Sequence, residues 1–145
     1  MQPAPFLSSD DPAWTPLLEA AWAAREHAHA PYSGFKVGAA LGLRDGTIVG
    51  GCNVENAAYP MCTCAERTAA CAAVAAGMKA GDLVAAVVVA EADGLTPPCG
   101  ACRQVLAEFA DALPVLLANR QARALHDLRD LLPHSFTERN FRPMT

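Results

Sequence analysis

The 145-residue sequence has no run of lysine or arginine, and eleven basic against fifteen acidic residues leave a formal charge of −4. A protein acting on a nucleic-acid polymer carries a basic footprint for phosphates, so a small neutral or cationic ligand fits better. The first residues, Met1-Gln2-Pro3-Ala4-Pro5-Phe6, lack the basic start and apolar run of a secretory signal. The longest branched apolar stretch, Leu83 to Ala90, falls far short of the ~20 residues that cross a bilayer. There is no internal repeat, low-complexity segment or long Gly/Ser or Pro linker. These absences predict a cytoplasmic protein with neither membrane nor nucleic acid among its partners. The length suits a single domain over residues 1–145, with residues 1–10 and 137–145 as flexible tails. Large apolar side chains are also scarcer than the 52% hydrophobic content implies, because 31 of those residues are alanine. Alanine buries little area, so a partner subunit is expected to complete the burial.

What the sequence does have is six cysteines. In a reducing compartment, metal binding or catalysis outranks disulfides as their use. The elements that place them can be read in order. Trp14, Leu17, Leu18, Ala21, Trp22 and Arg25 give helical spacing after Pro12, with Pro31 as the stop. Phe35 to Leu43 and Thr47 to Val54 flank Arg44-Asp45-Gly46 and predict a hairpin. A helix follows from Cys64 to Ala76, closed by Gly77, and its alanine surface predicts burial. Next come a strand from Leu83 to Ala90, a helix from about Gly100 to Phe109, a strand from Pro114 to Leu117 and a short fifth strand at Ala122 to Leu125. This order predicts an α/β fold, a three-layer α/β/α sandwich around a mixed five-stranded sheet.

Two cysteine clusters open two of these helices: Cys62-Thr63-Cys64-Ala65-Glu66-Arg67 and Pro97-Pro98-Cys99-Gly100-Ala101-Cys102. Cys99 and Cys102 have the spacing by which a tight turn grips one metal ion. Cys64 is the natural third ligand, because a helix N-terminus favours the thiolate. Three cysteines leave a tetrahedral zinc with one open position, the layout of a catalytic site. Glu66, on the same first turn as Cys64, can then stand beside that position as a general base without being a ligand. The alternative is a closed structural site that adds Cys62, which leaves Glu66 unexplained. Cys52 and Cys71 are expected as buried small hydrophobes, and His27, His29, His126 and His134 lie apart from any second ligand at metal spacing.

These motifs, together with Tyr32-Ser33-Gly34-Phe35-Lys36-Val37-Gly38, Gly51-Cys52-Asn53-Val54-Glu55-Asn56 and Leu131-Leu132-Pro133, resemble the small zinc-dependent cytidine deaminases over nearly the whole chain. The resemblance implies zinc held by Cys64, Cys99 and Cys102, with a zinc-bound hydroxide attacking C4 of the substrate base and Glu66 shuttling protons. It implies that Asn53 and Glu55, at the end of the second strand, hold the ribose of a small-molecule nucleoside substrate. The Ala65 N–H would bind the pyrimidine carbonyl and Phe35 would pack on the base. Arg67 would donate to the ligand sulfurs, offsetting the charge of three thiolates. It further implies a homotetramer in which Ala57, Tyr59 and Phe136 reach a neighbour's site. The product would be uridine or 2′-deoxyuridine plus ammonia, in pyrimidine salvage. Arg103 and Gln104 read as the exposed side of their helix. Rival readings are an antibiotic deaminase, a deoxycytidylate or polymer-acting deaminase, and a zinc-stabilised binding module without turnover.

Overall fold

Asp11 starts the first helical segment: its side chain accepts the Ala13 N–H at 2.9 Å, and Pro12 opens a 3₁₀ turn, Pro12–Trp14, that runs into helix α1, Thr15–Arg25. The computed structural model describes residues 4–144. Helix α1 ends six residues before Pro31, because the chain turns at His27 and Ala28 to bring His29 into a bridge with Val54. Strand β1, Val37–Leu43, pairs antiparallel with β2, Ile48–Cys52, through a turn in which Gly46 adopts φ 89° and Asp45 accepts the Thr47 N–H. Helix α2, Ala65–Ala75, leads to β3, Leu83–Ala90, then to α3, Gly100–Ala107, β4, Pro114–Ala118, β5, Arg123–Asp127, and a short α4, Leu128–Leu131. The sheet order is β2-β1-β3-β4-β5; only β3 and β4 are parallel.

The period-two alternation of β3 divides the core. Ala85, Val87 and Val89 pack with Trp14, Leu17, Leu18 and Ala21 of the α1 side, while Ala86, Val88 and Ala90 pack with Ala65, Ala69, Ala73 and Leu106 of α2 and α3. A strand covered on both faces reads as a continuous apolar run, which is what Leu83 to Ala90 is. The three-layer α/β/α sandwich around a mixed five-stranded sheet is therefore present as expected.

Two expectations are corrected. Helix α2 is buried on one face only: Ala65, Ala69 and Ala73 meet the sheet, whereas Cys71, Ala72, Val74 and Ala75 are exposed. One layer covers a helix on one side, so the 100° step per residue leaves Cys71 outside rather than buried, and Cys52 is only half-buried. Residues of the two terminal segments make specific contacts. Phe6 packs at a tilt against Trp14 with ring centroids 4.6 Å apart and donates its N–H to Asp11, and Trp14 Nε1 donates to the Ser8 carbonyl. At the other end, Thr137 and Asn140 form a reciprocal cap around the 3₁₀ turn Glu138–Asn140, and Arg139 bonds Asp111. The tail residues 1–3 and 145 lie outside the described residues.

One glycine brings the helix that carries Glu66 onto the sheet. A Cβ on Gly51 would lie 2.5 Å from the Ala69 N and 2.6 Å from the Ala65 O, so α2 rests directly on β2. Thr68 ties the same turn down by donating its hydroxyl to the Cys52 carbonyl at 2.7 Å. Gly51→Ala is expected to destabilise the fold by about 1–3 kcal/mol in urea unfolding, because two backbone atoms must move. Gly94→Ala, which meets open space, should change stability by less than about 0.5 kcal/mol.

Candidate active site

Cys64 is the N-cap residue of α2 and Cys99 that of α3, each with extended backbone, and neither side chain makes a capping hydrogen bond. Both sulfurs are thus left to meet each other. Cys64 Sγ lies 3.8 Å from Cys99 Sγ, Cys99 Sγ lies 3.5 Å from Cys102 Sγ, and all three fall within 4.8 Å of one another. A tetrahedron built on Zn–S bonds of ~2.3 Å has sulfur–sulfur edges of about 3.8 Å, so the three thiols fit one zinc ion in both chemistry and spacing. Burial is graded across the cluster: Cys102 is buried, Cys64 half-buried and Cys99 exposed, so the site opens to solvent on one side.

Among the described residues the metal-competent group holds these three cysteines and no histidine. Cys62 is engaged elsewhere. Its Sγ accepts the Asn56 N–H at 3.3 Å and faces the Asn56 carbonyl, which closes the loop 56–62 and argues against the four-cysteine alternative.

Charge is arranged around the sulfurs. Arg67 Nη2 donates to Cys64 Sγ at 3.6 Å, and its buried Nε has no partner among the described residues. The neighbouring Cys102 thiol foremost, joined by Arg67 and Cys99 against the cost of burial, draws the Cys64 thiol down to about 5. The nearby Cys64 sulfur pushes the Cys102 thiol far up, and burial adds to this.

Glu66 is 4% exposed and is the one buried charged residue among the described residues. Burial raises its carboxyl, against the pull of its own backbone N–H and of the Cys102 thiol beside it. A carboxylate buried without a salt bridge is costly to the fold, and a perturbed acid of this kind is a candidate for proton transfer.

The substrate-side candidates form a second group. Strand β2 ends at Cys52, so Asn53 and Glu55 stand beyond it, on either side of Val54, which bridges Thr63 and His29. The reason is local. Asn53 turns its carboxamide onto the start of β1, accepting the Val37 N–H and donating to the Phe35 carbonyl, both at 2.8 Å. One amide proton and one lone pair remain for a ligand. Glu55 accepts the N–H groups of Tyr32 and Ser33 and the Ser33 hydroxyl; that hydroxyl and N–H, foremost, hold its carboxyl below the usual carboxylate range. Phe35 precedes β1 rather than lying in it and is 41% exposed. Ala65 is buried at the first turn of α2, where N–H groups lack intrahelical acceptors.

Tyr32, Ser33, Glu55, Tyr59 and Cys62 line a cavity of about 300 Å³. A larger hollow of about 820 Å³ beside Trp22 and Arg120 contains neither the cysteines nor Glu66, so volume does not mark the site. Ala57, Tyr59 and Phe136 are exposed, and Tyr59 meets Tyr32 edge-on at 5.8 Å.

Sequence reasoning missed the side chains that hold this frame. Ser33 links Glu55 to the Phe35 N–H, and its place in the Tyr32-Ser33-Gly34 turn was the available signal. Arg103 and Gln104, expected to be solvated, are half-buried and bond backbone carbonyls. Their acceptors lie as far as 32 residues away in the chain, which no local pattern reveals.

The profile of the cytidine and deoxycytidylate deaminase zinc-binding region matches residues 15–117. The chain is 50% identical over 117 residues to the cytidine deaminase of Sporosarcina psychrophila, covering 79% of this chain and 85% of that protein. It is 47% identical over 123 residues to that of Halalkalibacterium halodurans, covering 83% and 92%. The crystal structure of cytidine deaminase from Burkholderia pseudomallei superposes with a TM-score of 0.81 at 53% identity, covering 84% of this chain and 98% of that one. The spacing of the sulfurs, the buried Glu66 and these matches agree, and the chain belongs to the cytidine and deoxycytidylate deaminase zinc-binding family.

Proposed function

We propose that this protein hydrolyses cytidine and 2′-deoxycytidine to uridine and 2′-deoxyuridine with release of ammonia, as a step of pyrimidine salvage. The observation that carries this reading is the buried Glu66 carboxyl set beside three sulfurs whose separations match one tetrahedral metal site. Cys64, Cys99 and Cys102 hold the zinc, which when bound supplies the Lewis acidity that makes water nucleophilic near neutral pH.

Glu66 moves the protons. It accepts one from the attacking water and delivers it to N3 of the pyrimidine as the new oxygen–C4 bond forms. It then takes the hydroxyl proton of that adduct and gives it to the amine as the C4–N4 bond breaks. One water enters and one ammonia leaves, so the balance closes. A raised carboxyl suits a group that must both accept and return a proton.

Asn53 and Glu55 hold the ribose through the capacity their backbone contacts leave free. The Ala65 N–H binds the pyrimidine carbonyl, Phe35 packs on the base, and Arg67 steadies the thiolate of Cys64. Ala57, Tyr59 and Phe136 complete a neighbour's site in a cytoplasmic homotetramer of single-domain chains; their exposure supports this reading. No helix among the described residues is long and apolar enough to cross a membrane.

The test is the loss of ultraviolet absorbance of cytidine, deoxycytidine and blasticidin. Wild type is expected to act on the first two, and activity on none of the three overturns the proposal. Glu66→Gln should lower kcat by at least ~10³-fold with zinc content unchanged, and equal activity in this variant removes the mechanism. Arg67→Ala should weaken zinc retention or activity by about 10- to 100-fold, checked by metal analysis after dialysis and by kinetics.

A further inference from the structure

We propose that Arg103 is a positioning residue that clamps the cysteine loop to the C-terminal segment, making metal retention and the docking of residues 131–136 depend on each other. The inference rests on the reading of Cys64, Cys99 and Cys102 as metal ligands.

In the loop in question Pro98 is buried and Leu95 packs against the core. Residues 95–99 belong to no helix or strand, and Cys99, as N-cap of α3, makes no side-chain cap. Yet this loop must place Cys99 Sγ against Cys64 Sγ. Arg103 gathers its carbonyls. Its backbone N–H donates to the Cys99 carbonyl at 3.0 Å, and its Nε donates to the Pro98 carbonyl at 2.8 Å.

The other arm of the same guanidinium crosses to a second segment. Nη1 donates to the Leu131 carbonyl at 2.6 Å, an acceptor at the end of α4 where helical carbonyls lack partners. Helix α4 is itself fixed to the core, since Leu128 is buried, its N–H bonds the Leu113 carbonyl at 2.9 Å, and Asp127 caps the Arg129 N–H at 2.8 Å. The loop is thus braced against a rigid point. The adjacent Gln104 extends the link by donating Nε2 to the Phe136 carbonyl at 2.7 Å.

Among the described residues Arg103 has no carboxylate partner. Its planar fork serves two carbonyls from two segments at once, a geometry that a lysine ammonium on a flexible stem does not reproduce. Because the metal and the C-terminal segment both favour the same position of Arg103, each stabilises the other by the same factor.

The test measures transfer of zinc from the folded, loaded protein to a chromogenic chelator, together with tryptic cleavage after Arg139. Arg103→Ala should release zinc about tenfold faster or more and be cut faster at Arg139, and metal-free wild type should also be cut faster than loaded wild type. Arg129→Ala, which removes a surface arginine bonded to Asp127, should release zinc at the wild-type rate. If Arg103→Ala does not fold, Arg103→Lys carries the test through the same release measurement. Release within twofold of wild type in the Arg103 variant overturns the clamp, as does equally fast release from Arg129→Ala or equal cleavage of loaded and metal-free wild type. A wild type that holds no zinc instead overturns the ligand reading itself, and the clamp with it.

Discussion

Two helix N-termini must meet before Cys64 can stand 3.8 Å from Cys99, and the sheet decides whether they do. Helix α2 begins beyond the end of β2 and α3 begins beyond the carboxyl end of β3, so the paired strands set the distance between the two first turns. That distance tolerates little error, because a metal site with bonds of ~2.3 Å fixes its ligand edges to within a few tenths of an ångström. Gly51 removes the side chain that would lift α2 from β2, and Thr68 fastens the same turn to Cys52. Alanine at 65, 69 and 73 continues the close contact along the helix. The alanine excess is thereby explained in part: small residues let a helix carrying a buried carboxyl lie near the sheet.

The same close packing produces the electrostatics. Glu66 is drawn out of water by the elements around the first turn of α2, and its carboxyl rises because the charged form loses solvation. Arg67, one residue further along, sends its guanidinium to Cys64. Three consecutive positions around one helical turn thus supply a thiol, a backbone N–H and a buried acid, and the next adds a cation.

Around this centre, polar side chains do for irregular segments what ladders do for strands. Asn53 and Glu55 pin residues 32–37 through three side-chain oxygens and an amide nitrogen, and Arg25 Nε adds a bond to the Lys36 carbonyl at 3.2 Å. A segment held at so many backbone positions is shaped before any ligand arrives, which lowers the ordering cost of binding. Gly34, at φ 69°, takes the left-handed turn this path requires.

How far the sequence goes depends on the range of the interaction. The hairpin at Arg44-Asp45-Gly46 and the two-sided burial of Leu83 to Ala90 were legible because turn chemistry and hydrophobic period are local. So was the Cys99–Cys102 pair, since ligands three residues apart share one turn. Boundaries failed where a distant group intervened: β2 stops at Cys52 because Asn53 serves β1, and α1 stops at Arg25 because His29 pairs with Val54. The outward turn of Cys71 and the inward bonds of Arg103 and Gln104 were likewise hidden, because they depend on which layer lies against each helix face. By itself, then, the order of residues determined the element types, the two-faced strand and the chemical identity of the ligand set. The tertiary structure alone decided that sulfurs 35 positions apart in the chain would stand within bonding distance of one ion, because that separation is a sum over packed helices and paired strands that no local segment contains.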